Sequence, residues 1–379
     1  MTAVDLWQRA REHGSPLVSG VDASGLVEVT FVWRGEAERA AVGWGVRNEL
    51  TRAPGTDIWH GTFRWPARMR TIYFVTHLPP GDYTYPYDPS GTGPAHIDPL
   101  NPARMLFPAD PGDPTDRDGW VSTLTLPHAP EETWSRPQPG VPAGTIVEAV
   151  TLGDHRVSVY VPPGGRRTGG PALVVFDGYL GRTVMGIPAT LDNLTAAGRI
   201  PPLTAFFVHG TDATRDKDLS PDNAATTTFV SRDLMSWARR EFGTSPYPRD
   251  NAVAGCSLGG LAAAHIALSA PDVFGGVISQ SGSFWWPAPE HGAPEWLTRE
   301  YARRPHAGLR FYLDVGSREH FTVGPGAPTQ LDASRHLRDV LRRRGYPVTY
   351  AEYDGWHDYV NWRTGFADGV LALFGKSTS

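Results

Sequence analysis

The rhythm of apolar positions changes partway along the chain. Before Pro127 an opening helix gives way to short stretches in which apolar and aromatic residues alternate with polar ones, at 27–33, 58–65, 71–77 and 120–126. A period of two puts one set of side chains on a buried face and the other in water, so these stretches read as strands. Arg34-Gly35, Pro54-Gly55 and Pro80-Gly81 lie between them and supply the turn chemistry that reversals need. The spacing suits an antiparallel β-sandwich rather than βαβ units. From 88 to 116, Pro, Gly and Asp dominate without a period, which predicts a long surface loop reaching toward another part of the molecule.

Pro127, Pro130, Pro137, Pro139 and Pro142 then fall within sixteen residues. So proline-rich a stretch continues neither a ladder nor a helix and favours an extended, semi-rigid spacer. Beyond it, apolar strands at 146–151, 156–161, 172–176, 203–208, 276–280, 310–315 and 348–353 alternate with helical patterns at 188–197 and 224–242. A later helix carries Ala333, Leu337, Val340 and Leu341 on one face, with Gly345 placed to cap it, and a last helix closes the chain. Residues 210–220 read as a loop. The alternation is that of a mostly parallel sheet with helices on both faces. Three segments are therefore expected: a front domain at 1–126, a linker at 127–143 and an α/β domain at 144–379.

Within the α/β domain, 251–262 reads NAVAGCSLGGLA: a short apolar strand, then Gly255-Cys256-Ser257-Leu258-Gly259, then a small-residue helix. A serine in this setting sits on a sharp strand-to-helix turn, flanked by glycines because a Cβ would clash where the backbone folds back. This is the nucleophile elbow of an α/β-hydrolase, with Ser257 as nucleophile. In that fold the acid and the histidine follow the serine in chain order. The strand at 310–315 runs into Gly316-Ser317-Arg318-Glu319, and the strand at 348–353 runs into Asp354-Gly355-Trp356-His357. His357 is assigned as general base and Glu319 as the group that orients it. Asp314, inside its strand, is the rival acid and is expected to make a structural hydrogen bond. His320, Asp354 and Asp358 read as solvated loop residues, and His306 and His336 as surface or packing residues. The oxyanion hole would use the backbone N–H of Leu258 and one from the loop after Phe176, Tyr179. Cys256 occupies the variable position of the elbow and is expected to pack into the sheet.

Composition narrows the classes further. The 379 residues are 40% apolar and 20% charged, with a formal charge of −5 and a pI near 6.2. That balance gives no general field for nucleic acid or an anionic membrane, so an anionic substrate needs a local arginine cluster. Only Lys217 and Lys376 are lysine among the 35 basic residues, which leaves arginine forks for any such site. A single cysteine excludes an internal disulfide or a cysteine-built zinc site, and no metal site is expected. The start lacks an apolar h-region and no run of about 18 apolar residues occurs, which favours the cytoplasm. Oligomeric state is not set by these features.

The elbow GCSLGG, the run Gln280-Ser281-Gly282-Ser283-Phe284-Trp285-Trp286, the stretch from Gly355-Trp356-His357-Asp358 to Trp362-Arg363 and the loop with Thr214-Arg215 and Asp218-Leu219 together resemble the enterochelin esterase family. The front-half run Val29-Thr30-Phe31-Val32-Trp33-Arg34-Gly35 is similar to that family's N-terminal domain. The resemblance implies a cytoplasmic hydrolase that cuts the esters of catecholate trilactone siderophores, often as ferric complexes, with iron present only in the substrate and no cofactor. A ferric tris-catecholate is a trianion with flat arms, so its site needs cations and aromatic faces. Arg215, Trp285, Trp286 and Arg363 are the expected substrate contacts. Asp218 stands where the family usually has glutamate, and its shorter side chain is expected to alter how the arginine loop is held. The same fold and triad would serve a general carboxylesterase or a feruloyl-type esterase. A non-catalytic siderophore-binding protein is the third reading; the intact Ser257, Glu319 and His357 argue against it.

Overall fold

The computed structural model describes residues 2–44, 47–77 and 94–376. The chain forms two compact units, one of Met1–Glu131 with Asp354–Asn361, the other of Glu132–Tyr353 with Trp362–Ser379. The short segment that carries His357 thus packs with the front of the chain.

In the first unit, α1 (Ala3–His13) opens with a capping box in which Thr2 and Asp5 exchange backbone and side-chain bonds. The strands β1 (Leu17–Val18), β2 (Leu26–Arg34), β3 (Ala40–Gly43), β4 (Asn48–Arg52), β5 (Ile58–Pro66), β6 (Arg70–Thr76), β7 (Ala95–His96), β8 (Arg104–Phe107) and β9 (Gly119–Thr125) pair antiparallel in the order β1-β2-β5-β4-β3-β6-β9-β8, with β7 on β6. Alternate residues of β2 (Val27, Val29, Phe31, Trp33) meet Trp59, Trp65, Tyr73 and Val75 in one core, so the sheet curls around its own apolar face. The four anticipated strands are present. The others are only two to five residues long, too short for a period to show.

The loop expected at 88–116 is more structured than its composition suggests. Residues 88–93, like the turn Pro80-Gly81, lie outside the described residues. The remainder holds β7 and β8, linked by turns in which Asp98 and Asn101 accept backbone N–H bonds from Leu100 (3.0 Å) and Ala103 (2.8 Å).

The second unit is built on an eight-stranded sheet among the described residues: β10 (Thr145–Leu152), β11 (His155–Val161), β12 (Ala172–Val175), β13 (Thr204–Val208), β14 (Asn251–Cys256), β15 (Gly276–Gln280), β16 (Arg310–Gly316) and β17 (Val348–Tyr353). The order is β10-β11-β13-β12-β14-β15-β16-β17, antiparallel as far as β13 and parallel from there on. β12, β13, β14 and β15 are buried along their whole length, as parallel strands covered on both faces require. Register aligns Cys256 with Gln280, Gln280 with Asp314, and Gly316 with Tyr353, so the carboxyl ends of four strands share one edge.

The helices are α2 (Gly178–Thr183), α3 (Ile187–Ala196), α4 (Asp212–Asp218), α5 (Ala224–Thr228), α6 (Met235–Phe242), α7 (Leu258–Ser269), α8 (Trp296–Arg303), α9 (Gln330–Arg343) and α10 (Tyr359–Phe374). Four differ from expectation, among them α8, for which the apolar pattern gave no expectation. The loop read at 210–220 contains α4, whose polar sequence Asp-Ala-Thr-Arg-Asp-Lys-Asp offers no apolar stripe. Six-residue α2 follows β12 almost at once and had no signal. The helix expected at 224–242 is α5 and α6 joined through a π-helical segment, Phe229–Leu234. Gly345, at φ +82°, ends α9 as anticipated: its N–H reaches Arg342 O and the Tyr346 N–H reaches Leu341 O, each at 3.0 Å. Among the described residues no helix is long and apolar enough to cross a membrane.

Candidate active site

Ser257 joins β14 to α7 at φ 56° and ψ −123°, a backbone conformation that costs a non-glycine residue energy and persists only where its surroundings hold it. They do so from several sides. The Ser257 N–H bonds Gln280 O at 2.9 Å, while Ser257 O accepts from Gly260, Leu261 and Ser283 at 3.0 to 3.1 Å. A Cβ on Gly255 would lie 2.4 Å from the carbonyl carbon of Gly259, so only glycine lets the strand and helix close on each other there. The hydroxyl itself is half-buried, 3.4 Å from Ser283 Oγ. Leu258 is the first residue of α7, where N–H groups have no partner within the helix and the dipole favours negative charge. Cys256 is buried, 3.9 Å from both Met185 Sδ and Gln280 Oε1, and burial pushes its thiol well above the usual range. It is an inert packing residue.

Glu319 is wholly buried in the turn after β16. Its Oε1 accepts from the Gly316 N–H (2.7 Å), Ser281 Oγ (2.6 Å) and Tyr353 OH (3.0 Å), and Trp362 Nε1 donates to Ser281 Oγ at 3.0 Å. Asp314 is buried too, but inside β16. Its Oδ2 accepts from Gln280 Nε2 (2.8 Å) and Tyr312 OH (3.2 Å), and burial raises its carboxyl to about 8. This is the structural hydrogen bonding expected of it. A carboxyl held neutral over most of the working range orients an imidazolium poorly.

His357, half-buried, lies between two anchored neighbours in the first unit. Trp356 packs edge-on against Trp65, with ring centroids 4.8 Å apart. Asp358 is fully buried and accepts from Thr71 Oγ1 (2.8 Å) and Asn361 Nδ2 (2.9 Å). The reading of Asp358 as a solvated loop residue is thus corrected, because a threonine hydroxyl 287 positions upstream satisfies its carboxylate.

The remaining site residues are all in the second unit. Tyr179 stands in the first turn of α2, with its ring near Arg182 and His209. Arg215, on α4, forms a bidentate pair with Asp177, Nε to Oδ1 and Nη2 to Oδ2, each 2.7 Å. Arg363, on α10, reaches Glu132 at 2.8 Å, with both side chains largely buried. Trp285 and Trp286 are half-buried against the core, and Trp286 meets Trp296 edge-on at 5.9 Å. Ser257, Leu258, Glu319 and the tryptophan run are gathered at the carboxyl edge of the sheet, while both arginines hold carboxylates.

Sequence reasoning passed over Asp177, Ser281 and Tyr353. The first had a usable signal, an Asp-Gly step straight after a buried strand. Ser281 stood in the run from Gln280 to Trp286 without a role, and its positive φ of 47° is invisible in sequence. An open groove of about 410 Å³, bordered by His155, Arg156, His209, Thr214 and Lys217, lies beside α4. Among the described residues no group of three or more His, Cys, Asp or Glu is arranged to hold a metal ion.

Known proteins resemble this arrangement along nearly the whole chain. The iron(III) enterobactin esterase of Escherichia coli O6:H1 (strain CFT073) is 28% identical, covering 92% of each chain. The iron(III) salmochelin esterase of the same strain is 27% identical, covering 98% of this chain and 93% of its own. The crystal structure of the Shigella flexneri enterobactin esterase in the presence of enterobactin superposes with a TM-score of 0.72 at 27% identity, covering 97% of both chains. The Esterase family model matches residues 149–373, more than half of the sequence. With its elbow serine and buried carboxylate on one sheet edge, the chain belongs to this esterase family and is a carboxylic ester hydrolase.

Proposed function

We propose that this enzyme hydrolyses the ester bonds of catecholate trilactone siderophores, including their ferric complexes, and so releases iron in the cytoplasm. The observation that carries the reading is the elbow serine with Glu319 on the same edge, in a chain that matches enterobactin and salmochelin esterases over almost its full length. Ser257 attacks a lactone carbonyl while His357 takes its proton, and Glu319 holds the imidazole in the tautomer that accepts it. The oxyanion is met by the N–H groups of Leu258 and Tyr179. His357 then returns the proton to the departing serine-derived alkoxide and activates the water that frees Ser257. No cofactor enters these steps, and iron comes only with the substrate.

Trp285 and Trp286 offer the flat apolar faces that a catecholate arm stacks on. Arg215 and Arg363 were expected to meet the anionic arms. Because each guanidinium already holds a carboxylate, this reading assigns the arms to the tryptophans and the arginines to the framework.

The test is hydrolysis of apo and ferric enterobactin followed by chromatography, with Ser257→Ala as control. Stepwise appearance of linear trimer, dimer and monomer that is lost in the variant supports the reading. Turnover of p-nitrophenyl butyrate with both trilactones left intact would overturn the substrate class while leaving the esterase.

A further inference from the structure

Asp177, two residues beyond β12, holds a left-handed conformation, φ 51° and ψ 47°, that residues with a Cβ seldom hold unaided. It stands at the N-cap of α2, where an aspartate ordinarily turns its side chain onto the helix's own N–H groups. Here it makes no such bond, and both oxygens accept from Arg215 instead. The carboxylate is also close to the elbow: a Cβ built on Gly259, in the first turn of α7, would lie 3.4 Å from Asp177 Oδ2 and 3.3 Å from Phe176 Cβ. On the opposite side a Cβ on Gly178 would lie 2.6 Å from Phe207 C. The backbone from Phe176 to Gly178 is therefore wedged between β13 and α7, with a negative charge facing the helix end where an ester's oxyanion would form.

An unpaired carboxylate at that point would oppose the developing charge. We propose that Arg215 is a positioning residue for ester hydrolysis: by gripping Asp177 it neutralises that carboxylate, turns it from the N–H groups of α2 and fixes the loop that supplies the second oxyanion donor. The inference rests on Ser257 as nucleophile and holds for any ester, anionic or neutral.

The experiment uses the full-length enzyme with p-nitrophenyl butyrate and ferric enterobactin. Arg215→Ala is expected to lower kcat on both substrates by roughly ten- to a hundredfold, with KM changed less than about twofold. Affinity for phenylboronic acid, which forms a tetrahedral anion on Ser257, falls in parallel. The double variant R215A/D177N regains most of the lost kcat, because the unpaired charge is gone; a merely structural arginine would show no such recovery. A rise in KM for the ferric complex alone would overturn the proposal in favour of direct substrate contact. Unchanged kcat on the neutral ester, or no recovery in the double variant, would also overturn it. Should Arg215→Ala fail to fold, Arg215→Lys, which keeps the charge and loses the fork, carries the comparison: a smaller drop in kcat is expected, and no drop overturns. Turnover that survives Ser257→Ala would instead refute the nucleophile and be told apart from these results.

Discussion

Ser281 Oγ donates to Glu319 Oε1 at 2.6 Å, and the same oxygen accepts from Gly316 N–H and Tyr353 OH. Three donors on one oxygen anchor the carboxylate, so the orientation of Glu319 depends on Ser281, Gly316 and Tyr353. Removing one donor from a buried acceptor costs about 1–3 kcal/mol. Ser281→Ala is therefore expected to lower both the melting temperature and kcat on p-nitrophenyl butyrate, with kcat falling less than in Glu319→Gln. Activity at the wild-type level would show that the remaining donors suffice.

The two buried acids separate cleanly by mutation. Ser257→Ala and His357→Ala should each lower kcat by roughly 10³-fold or more with the fold intact, since triad members act as a unit. Glu319→Gln is expected to cost less, and Asp314→Asn to leave most activity, because the Asn carbonyl can still accept from Gln280 and Tyr312. A folded Asp314→Asn enzyme without activity, beside an active Glu319→Gln, would reverse the assignment.

How much of this was legible in the sequence depends on the range over which each feature is encoded. The strand Ala172–Val175 and the elbow are local: four apolar residues buried on both faces, and glycines that a folded-back turn demands. The short polar helix Asp212–Asp218 left no periodic trace. Arg215 was visible as a cation, but its partner lies 38 residues upstream in a different loop, so substrate contact and ion pair looked the same. Asp358 is the extreme case, since its burial depends on Thr71. Local chemistry exposes the elbow serine; pairing across the fold decides which partners the charged residues take.

The Asp314 carboxyl gives a signed pH dependence. Burial is the main cause of its shift, opposed by hydrogen bonds from Gln280 and Tyr312 and aided by the charges of Glu319 and Asp368. Folded, it releases its proton near 8, whereas an unfolded aspartate does so near 3.9. Between those values the folded state binds one proton more, so this group makes stability fall as pH rises, on the order of 1 kcal/mol per unit. Asp314→Asn removes the dependence. Its melting temperature relative to wild type should climb steadily from pH 5 to 8, and a constant difference across that range would mean the carboxyl is ionised in the fold.

The segment bearing His357 is fastened within the first unit, and this changes what loss of the front of the chain should do. Trp356 leans on Trp65, and the Asp358 carboxylate takes its hydrogen bond from Thr71. Deleting residues 1–131 removes both partners and leaves Asp358 the bonds from Asn361 in its own segment. Were the front domain only an aid to binding large substrates, truncation would spare a small ester. The anchoring of Trp356 and Asp358 predicts instead that p-nitrophenyl butyrate and ferric enterobactin lose turnover alike. Thr71→Val, which keeps the shape and deletes the hydroxyl, tests the same link in the full-length enzyme. It leaves Asp358 one donor short, a cost of about 1–3 kcal/mol, and should lower kcat on both esters together. Steady-state kinetics on the two substrates decides the matter: a selective loss on the siderophore would place the role of the first unit in substrate binding rather than in holding the histidine's loop.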